Sequence, residues 1–233
     1  MRATIQYHAS GRFSVSITCE VPEFQPLPKT YESIGIDLGI TDFAILSDGR
    51  KVDNQRFTAK MEQKLKREQR KLSRRYEQAK KDNQVLRDCM NYQKQRRKVA
   101  RLREKVAFQR EDFLHKLTTA FIRQYDVICI EDLNTKGMLK NHKRAKAIRD
   151  VSWSSFVQKR MYKAKWYGRT IVKTNRFFPS SQLCHVCGHH DGKKALEIRE
   201  WTCSSCHTTL DRDINASRNI LAEGLRLFEA TQP

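Results

Sequence analysis

Four cysteines constrain the fold of this chain more than any other feature. Cys184 and Cys187 form one C-x2-C pair, and Cys203 and Cys206 form a second pair after fifteen intervening residues. This spacing predicts a site in which four thiolates form a tetrahedron around one Zn2+, with Gly188 supplying the positive φ of the first turn. Two disulfides are the alternative, which the paired spacing disfavours. Because four thiolates leave no position for water, we expect the zinc to be structural.

The charge of the sequence points to a polyanionic partner. Its 46 Lys and Arg against 26 Asp and Glu give a formal net charge of +20. Nucleic acid is the usual partner of so basic a chain, and a ribosomal or otherwise merely basic protein is the alternative. No apolar run approaches the roughly 20 residues of a membrane span, and the amino terminus lacks the apolar core of a signal peptide. We therefore expect a soluble intracellular protein without a membrane partner.

The first fifty residues predict two groups of strands. Residues 2–20 alternate apolar and polar side chains and predict a β-hairpin. Because a hairpin alone is marginal, it must pack on something, either in this chain or in a missing part. A proline-rich linker at residues 21–30 follows. Residues 33–47 predict two buried strands joined by a short turn. Asp37 is expected in the middle of the first, where a carboxylate needs a metal or a cation; an acid at an exposed strand end is the alternative.

A basic helical segment occupies residues 58–124. Apolar residues recur in it at helical spacing, and Asp82 with Asn83 marks a break, so the segment predicts a helical hairpin. Between Lys60 and Arg110, nineteen Lys or Arg stand against six Asp or Glu. This excess favours contact with a phosphate backbone, and a solvated charged surface is the alternative.

Two further carboxylates follow apolar elements. Residues 127–130 predict a central strand that delivers Glu131 at its end, and Asp213 opens a final helix that extends to about Glu229. If these elements and the strand of Asp37 pack on one sheet, the three acids can converge at its edge. Clustered carboxylates repel unless cations hold them together, and oxygen ligands suit Mg2+ or Mn2+. Two such ions can activate water and stabilise the leaving oxygen in phosphodiester cleavage.

Four stretches carry a resemblance to a known family. They read GIDLGITDFAILSDG, ICIEDLN, YKAKWYGRT through FFPSSQLCHVCG, and WTCSSCHTTLDRDINASRNIL. In this order they resemble the RuvC-like nuclease half of transposon-encoded TnpB (OrfB) proteins, which are related to compact type V CRISPR effectors. The resemblance covers nearly the whole chain. It implies an α/β fold of the RNase H-like (RuvC) type, with a mixed sheet, flanking helices, a long basic helical hairpin insertion and a small four-cysteine zinc ribbon.

The resemblance also implies an activity and its residues. In that family the RuvC-like fold cuts DNA at a site selected by a guide RNA. The expected function is therefore that of a Mg2+-dependent DNA endonuclease, a hydrolase that meets DNA and guide RNA in the cytoplasm, at the nucleoid of a prokaryotic-type cell. Asp37, Glu131 and Asp213 match the family's catalytic acids and would hold two Mg2+ or Mn2+ ions, with Asp211 as a less favoured substitute for Asp213. The family's zinc ligands are matched by Cys184, Cys187, Cys203 and Cys206.

The order of the motifs predicts the domains. We expect a residual β-hairpin of an amino-terminal module plus a linker at residues 1–30, the RuvC-like nuclease at 31–178 with its helical insertion at about 58–124, the zinc ribbon at 179–210, and a final RuvC-like segment with its helix at 211–233. Family members carry a long module ahead of the first catalytic aspartate, whereas only about 36 residues precede Asp37. We therefore expect a truncated member, a fragment, or a form that starts at an internal Met, in which targeting is impaired.

Two other functions are compatible with these features. One is a nucleic-acid-binding protein without nuclease activity, which would hold RNA or DNA through its basic helices. The other is an accessory protein of a transposase. The presence of all three acids favours the enzyme, because a protein that only binds has no need of them. A transposase proper requires a Tyr or Ser nucleophile, for which the sequence offers no placed motif.

Overall fold

The computed structural model describes residues 2–138, 148, 150–195 and 197–231. Its strands are β1 Arg2–Tyr7, β2 Phe13–Thr18, β3 Ser33–Asp37, β4 Asp42–Leu46, β5 Lys51–Asp53, β6 Val127–Glu131, β7 Thr170–Thr174, β8 Glu200–Thr202 and β9 Thr209–Asp211. Its helices are α1 Phe57–Lys81, α2 Met90–Gln124, α3 Thr135–Met138, α4 Trp153–Tyr167 and α5 Arg212–Glu229. None of the helices in these described ranges is both long and apolar enough to cross a membrane.

The chain divides into two compact units. The first comprises Met1–Glu23 and Arg56–Phe113, and the second comprises Phe24–Gln55 and Leu114–Pro233. The first unit therefore holds the β1–β2 hairpin, α1 and most of α2. The second holds the remaining strands and helices.

The hairpin of the first unit exposes its apolar side. β1 pairs antiparallel with β2 and places Tyr7 opposite Phe13, so that both side chains lie on the same face as Val15. All three are more than half exposed. Among the described residues this side stays exposed, so the expectation that it packs on something, here or in a missing part, stays a prediction. The hairpin is held at its turn instead, where the Arg101 guanidinium of α2 donates to the Ser10 carbonyl at 3.0 Å.

A buried carboxylate joins the two basic helices of the first unit. Glu68 of α1 is 1% exposed and accepts a hydrogen bond from Gln95 of α2 at 2.9 Å, with the Lys98 ammonium at 3.1 Å. These contacts lower the pKa of Glu68 to about 2, so the buried charge is kept and paired. The helical hairpin expected from the sequence is confirmed. Along α1 a groove of about 410 Å³ is lined by Gln63, Lys66, Arg67, Arg70, Lys71 and Arg74.

A five-stranded mixed sheet forms the core of the second unit, in the order β5–β4–β3–β6–β7. β3, β6 and β7 are parallel, whereas β4 and β5 are antiparallel to their neighbours. β3 and β6 can occupy the centre because they consist mainly of apolar residues, and Ile36 and Ile130 are fully buried. Since parallel strands run in the same direction, the carboxyl ends of β3 and β6 lie side by side at one edge.

Helix α5 lies directly on this sheet and contacts four of its strands. A Cβ atom at Gly35 of β3 would lie only 2.1 Å from the Ser217 carbonyl oxygen and 2.7 Å from the Leu221 nitrogen of α5. Only glycine therefore permits so close an approach, because both of those atoms belong to the helix backbone. The contact fixes the position of α5, and with it the residues of its first turn.

Candidate functional site

Two carboxylates end neighbouring strands of the sheet. Asp37 is the last residue of β3 and Glu131 is the last residue of β6. Their parallel register places Ile36 opposite Ile130, so the two acids follow on adjacent strands that lie about 4.8 Å apart. The expectation that Asp37 lies in the middle of its strand is wrong, because the chain turns just beyond it, at Gly39, into β4. The expectation that Glu131 ends its strand is confirmed.

The third carboxylate comes from the first turn of α5. Asp211 is the N-cap residue, and its side chain accepts hydrogen bonds from the backbone N–H groups of Asp213 and Ile214, both at 2.9 Å. Its other oxygen accepts from the Lys51 ammonium at 2.8 Å. Burial alone would raise the pKa of Asp211, but these bonds lower it below its ordinary value. Asp211 is thus occupied as a cap, whereas Asp213 lies close enough to Asp37 for their charges to interact.

Electrostatic interactions show that the three acids meet. Burial, followed by the charges of Glu131 and Asp213, raises the pKa of Asp37 from 3.8 to about 8. Burial also raises the pKa of Glu131, against the effect of a hydrogen bond from Ser180. Like charges gathered in one place favour the protonated form of at least one of them. Without a cation, a proton on Asp37 therefore relieves the repulsion at this edge of the sheet.

Glu131 and Asp213 each have a polar partner. The Ser180 hydroxyl donates to Glu131 Oε1 at 2.6 Å, and the Arg199 guanidinium donates to Asp213 Oδ2 at 2.9 Å. Both partners belong to the segment around the two cysteine pairs. Sequence reasoning missed them because neither serine nor arginine there forms part of a recognisable spacing, and the contacts arise only in the folded chain.

The four cysteines lie together as the spacing predicts. Their sulfur atoms are all within 4.8 Å of one another. Cys184 Sγ and Cys206 Sγ are 3.7 Å apart, as are Cys187 Sγ and Cys203 Sγ. A tetrahedron with Zn–S bonds of about 2.3 Å has edges of about 3.8 Å, so the cluster has the size that a Zn2+ site requires. All seven cysteines of the sequence are free thiols, and the disulfide alternative is therefore wrong for this structure.

The two cysteine pairs lie on matching turns. The Gly188 N–H donates to the Cys184 carbonyl at 2.8 Å, and the His207 N–H donates to the Cys203 carbonyl at 3.0 Å. Gly188 has φ +74° and His207 has φ +57°. The positive φ expected at Gly188 is confirmed, whereas that of His207 was not foreseen because a non-glycine residue rarely adopts it. The antiparallel strands β8 and β9 flank the second turn and complete the ribbon.

The thiols of the cluster differ in acidity when no metal is bound. Hydrogen bonds from Thr208 lower the pKa of Cys206 to about 6. Although the His189 N–H acts in the other direction, burial and the neighbouring thiols raise the pKa of Cys187 to about 11. The Cys206 thiolate is therefore available near neutral pH, and a metal ion would have to displace the proton of Cys187.

The two groups of ligands differ in compactness. In the part of the chain that the structure describes, the four cysteines are the one group of three or more possible ligands whose atoms all lie within 4.8 Å of one another. Asp37, Glu131 and Asp213 do not form such a group, so they are more widely spread than the cysteines. The cysteine cluster is thus shaped for a metal ion already, whereas the carboxylates would have to draw closer around one.

Comparison with known proteins places the chain in a family. The sequence profile of the OrfB_IS605 family, described as "Probable transposase", matches residues 16–142, which is more than half of the chain. The chain belongs to this family. A second profile, described as "Cas12f1-like, TNB domain", matches residues 153–220, which include all four cysteines. The resemblance to TnpB (OrfB) proteins is therefore confirmed.

Two curated relatives have names that state an activity. A protein of Streptomyces pristinaespiralis named as an RNA-guided DNA endonuclease is 42% identical over 95% of this chain and 52% of its own length. InsQ of Escherichia coli K12, named in the same way, is 32% identical over 92% of this chain and 54% of its own length. The chain thus spans about half the length of the curated relatives it matches.

A solved structure has the same fold. A Cas12f chain in a CRISPR ternary complex matches 90% of this chain and 41% of its own length, with a TM-score of 0.53 and 19% sequence identity. The expected fold class is confirmed: the chain shares its fold with the Cas12f chain and has a mixed α/β sheet, flanking helices, a basic helical hairpin and a four-cysteine ribbon.

Proposed function

We propose that this chain supplies the nuclease of a transposon-encoded, RNA-guided DNA endonuclease, and that Asp37, Glu131 and Asp213 are its catalytic metal ligands. The observation that carries the proposal is the meeting of three acids from β3, β6 and α5 at one edge of the sheet, where the pKa of Asp37 rises to about 8. Neither sheet packing nor helix capping needs such a cluster, and it costs stability in the absence of a cation.

The donor atoms fit the proposed ions. Carboxylate oxygens suit Mg2+ and Mn2+, and cations would remove the repulsion that now raises the pKa of Asp37. When two such ions are bound, they supply an activated water and stabilise the leaving oxygen of a phosphodiester. The chain's own residues would orient this site: Ser180 fixes one oxygen of Glu131, the cap at Asp211 fixes the first turn of α5, and Arg199 neutralises Asp213 until metal arrives.

We further propose that the four cysteines hold one structural Zn2+. The spacing of their sulfur atoms supports this role, because it matches the edge of a zinc–thiolate tetrahedron. In this proposal the ribbon occupies residues 179–210, the nuclease occupies 31–178 with its helical insertion at about 58–124, and residues 211–233 complete the nuclease. Residues 1–30 hold the hairpin and linker of the neighbouring module.

The basic helices of the first unit are the proposed nucleic-acid surface. Five cations line the groove on α1. A second groove of about 710 Å³ combines Tyr7, Tyr92 and Met90 with Arg87, Lys94, Arg96 and Arg97. Cations of this kind bind phosphates, and the exposed ring of Tyr7 can stack on a base, which suits RNA or single-stranded DNA. DNA and a guide RNA are the proposed partners.

Cleavage of single-stranded DNA by the wild-type chain and by Asp37→Ala tests the proposed activity. With Mg2+ or Mn2+, we expect the wild-type chain to nick the strand and Asp37→Ala to be slower by at least about 10³-fold, because a metal ligand is lost. Asp53→Ala is the matched control, since it removes an exposed carboxylate from strand β5 of the same sheet. A wild-type rate no greater than that of Asp37→Ala would overturn the nuclease and leave nucleic-acid binding as the function.

A further inference from the structure

A chain of buried polar contacts joins the four-cysteine ribbon to Glu131. Ser180, whose hydroxyl donates to Glu131, is 6% exposed and opens the segment that leads into the first cysteine pair. The backbone of this segment is held from one side by polar side chains of α5, the helix that also carries Asp213. The ribbon and two of the three acids therefore share one set of contacts.

Two asparagines of α5 hold the segment between Ser180 and His185. Asn219 Nδ2 donates to the Ser180 carbonyl at 2.8 Å and to the Leu183 carbonyl at 2.7 Å. Asn215 Nδ2 donates to the same Leu183 oxygen at 2.7 Å. Asn215 is 1% exposed and Asn219 is 7% exposed. Hydrogen bonds between buried groups such as these fix a backbone firmly, because breaking one leaves an unpaired polar group.

His185 anchors the far end of the segment, inside the first cysteine pair. Its backbone N–H and its ring Nδ1 lie 2.9 Å and 3.0 Å from Asn215 Oδ1. Its Nε2 lies 2.8 Å from a guanidinium nitrogen of Arg218. Since a guanidinium can only donate, Nε2 must accept, and the ring proton is on Nδ1, where it is donated to Asn215. Every donor in this arrangement therefore faces an acceptor, and the turn is docked on α5 in one orientation.

We propose that Ser180 is a positioning residue for Glu131, and that the docking of the ribbon on α5 through Asn215 and Asn219 sets the place of Ser180. The proposal rests on the proposed function, in which Glu131 is a ligand of the divalent ions. A carboxylate that accepts a hydrogen bond at one oxygen presents the other in a fixed direction, as the partners of metal ligands commonly require. In this proposal the ribbon holds Ser180, and through it Glu131, in place, in addition to any contact that it makes with nucleic acid.

Binding of Mn2+ to the full, zinc-loaded chain tests the proposal without relying on cleavage. The loss of the Mn2+ electron paramagnetic resonance signal on binding gives the dissociation constant. We expect Ser180→Ala to raise that constant about tenfold, the usual effect of removing the partner of a metal ligand. Ser180→Thr keeps the hydroxyl and should restore most of the affinity. Zinc content should be unchanged in both variants, which separates positioning from loss of the ribbon.

Ser217→Ala is the matched control, because Ser217 is a buried serine of α5 whose hydroxyl donates to the carbonyl of Ile214 in its own helix. We expect it to bind Mn2+ as the wild type does. Asn215→Ala should weaken binding about threefold, and that effect should vanish in the Ser180→Ala background, because coupled positions are not additive.

The possible results separate this inference from the proposed function. If Asp37→Ala loses Mn2+ affinity while Ser180→Ala retains it, the metal site stands and the positioning role is refuted. If the losses of Ser180→Ala and Asn215→Ala simply add, Ser180 acts independently of the ribbon and the coupling is refuted. If the wild type binds Mn2+ no better than Asp37→Ala, the proposed metal site itself is wrong, and the coupling falls with it.

Discussion

The two candidate metal sites of the second unit are built in opposite ways. The cysteine cluster draws its four ligands from one short stretch and places them on two matching turns. Cys184 Sγ lies 3.7 Å from Cys206 Sγ, and Cys187 Sγ lies 3.7 Å from Cys203 Sγ. The carboxylate cluster draws Asp37, Glu131 and Asp213 from β3, β6 and α5, elements that are distant along the chain. The first site therefore follows from local turn geometry, and the second from the packing of the whole sheet.

The difference also appears in how each site behaves without metal. The four sulfur atoms lie close together without a metal, so the ribbon presents a ligand set of nearly the final size. The carboxylates repel one another, and each is stabilised in a different way. Asp37 has a raised pKa that favours its protonated form, Glu131 accepts a hydrogen bond from Ser180, and Asp213 forms an ion pair with Arg199. The cysteine cluster can thus form before its metal binds. The carboxylate cluster, which tertiary packing brings together, is destabilised by repulsion until cations bind.

Removing zinc should give the largest effect. Cys203→Ser should lower the zinc content from about one ion per chain and unfold the ribbon, because structural zinc sites contribute on the order of 10 kcal/mol. Trp201, which packs on Cys184, Cys203 and Leu210, should become exposed, and its fluorescence should shift to the red. Elemental analysis and emission spectra measure both. Cys89→Ser lies outside the cluster and is the control; full zinc content in Cys203→Ser would contradict the assignment.

Changing pH should reveal the cost of ionising the buried Asp37. The folded-state pKa of Asp37 is about 8, above its ordinary 3.8, so the stabilisation from its proton is present at low pH and is lost as pH rises from about 4 to about 8. Asp37→Asn cannot ionise. Without Mg2+ or Mn2+, but with zinc retained, the wild type should lose roughly 2–5 kcal/mol more of its free energy of unfolding than Asp37→Asn as pH rises across this range. Urea unfolding at pH 5 and pH 8 measures this difference. Equal pH dependence of the two proteins would show that the folded-state pKa of Asp37 is not raised.

Removing the cap should have the smallest effect and separates the two neighbouring aspartates of α5. Asp211→Ala loses two hydrogen bonds to the start of the helix, which should cost about 1 kcal/mol of stability. Because the first turn of α5 is then held less firmly, Mn2+ affinity should fall slightly. Asp213→Ala should instead lose Mn2+ affinity. Thermal unfolding and Mn2+ titration of both variants provide the measurements. Loss of Mn2+ binding in Asp211→Ala but not in Asp213→Ala would exchange their roles.

What the sequence reveals about each site follows from the same contrast. The cysteine spacing predicts the cluster and the positive φ of Gly188, because both depend on residues that are near one another in the chain. The strand that ends at Glu131 can likewise be predicted, because it is a short apolar run. The position of Asp37 was predicted wrongly, since an apolar run does not show where strand pairing stops and the turn at Gly39 begins.

The contacts that organise the carboxylates could not be read from the sequence. Ser180 and Arg199 are polar residues in stretches without periodicity, and Asn219 is a polar residue of a predicted helix. Their partners come from other elements. The exposed apolar side of the hairpin shows the same limit, because alternation predicts a strand face but does not say whether anything covers it. The cysteine cluster can be predicted because its ligands are close in sequence. The pairing of distant polar groups depends on strand register and helix placement, which the sequence pattern does not show.

The order in which the acids occur along the chain has a consequence for biosynthesis. A ribosome releases β3 and Asp37 first, β6 and Glu131 much later, and α5 with Asp213 after the whole ribbon. Until α5 emerges, the face of β3 at Gly35 lacks the helix that packs against it, so the sheet of a nascent chain is incomplete. A chain still under synthesis therefore lacks the third acid, and the carboxylate cluster cannot assemble until the ribbon has been made.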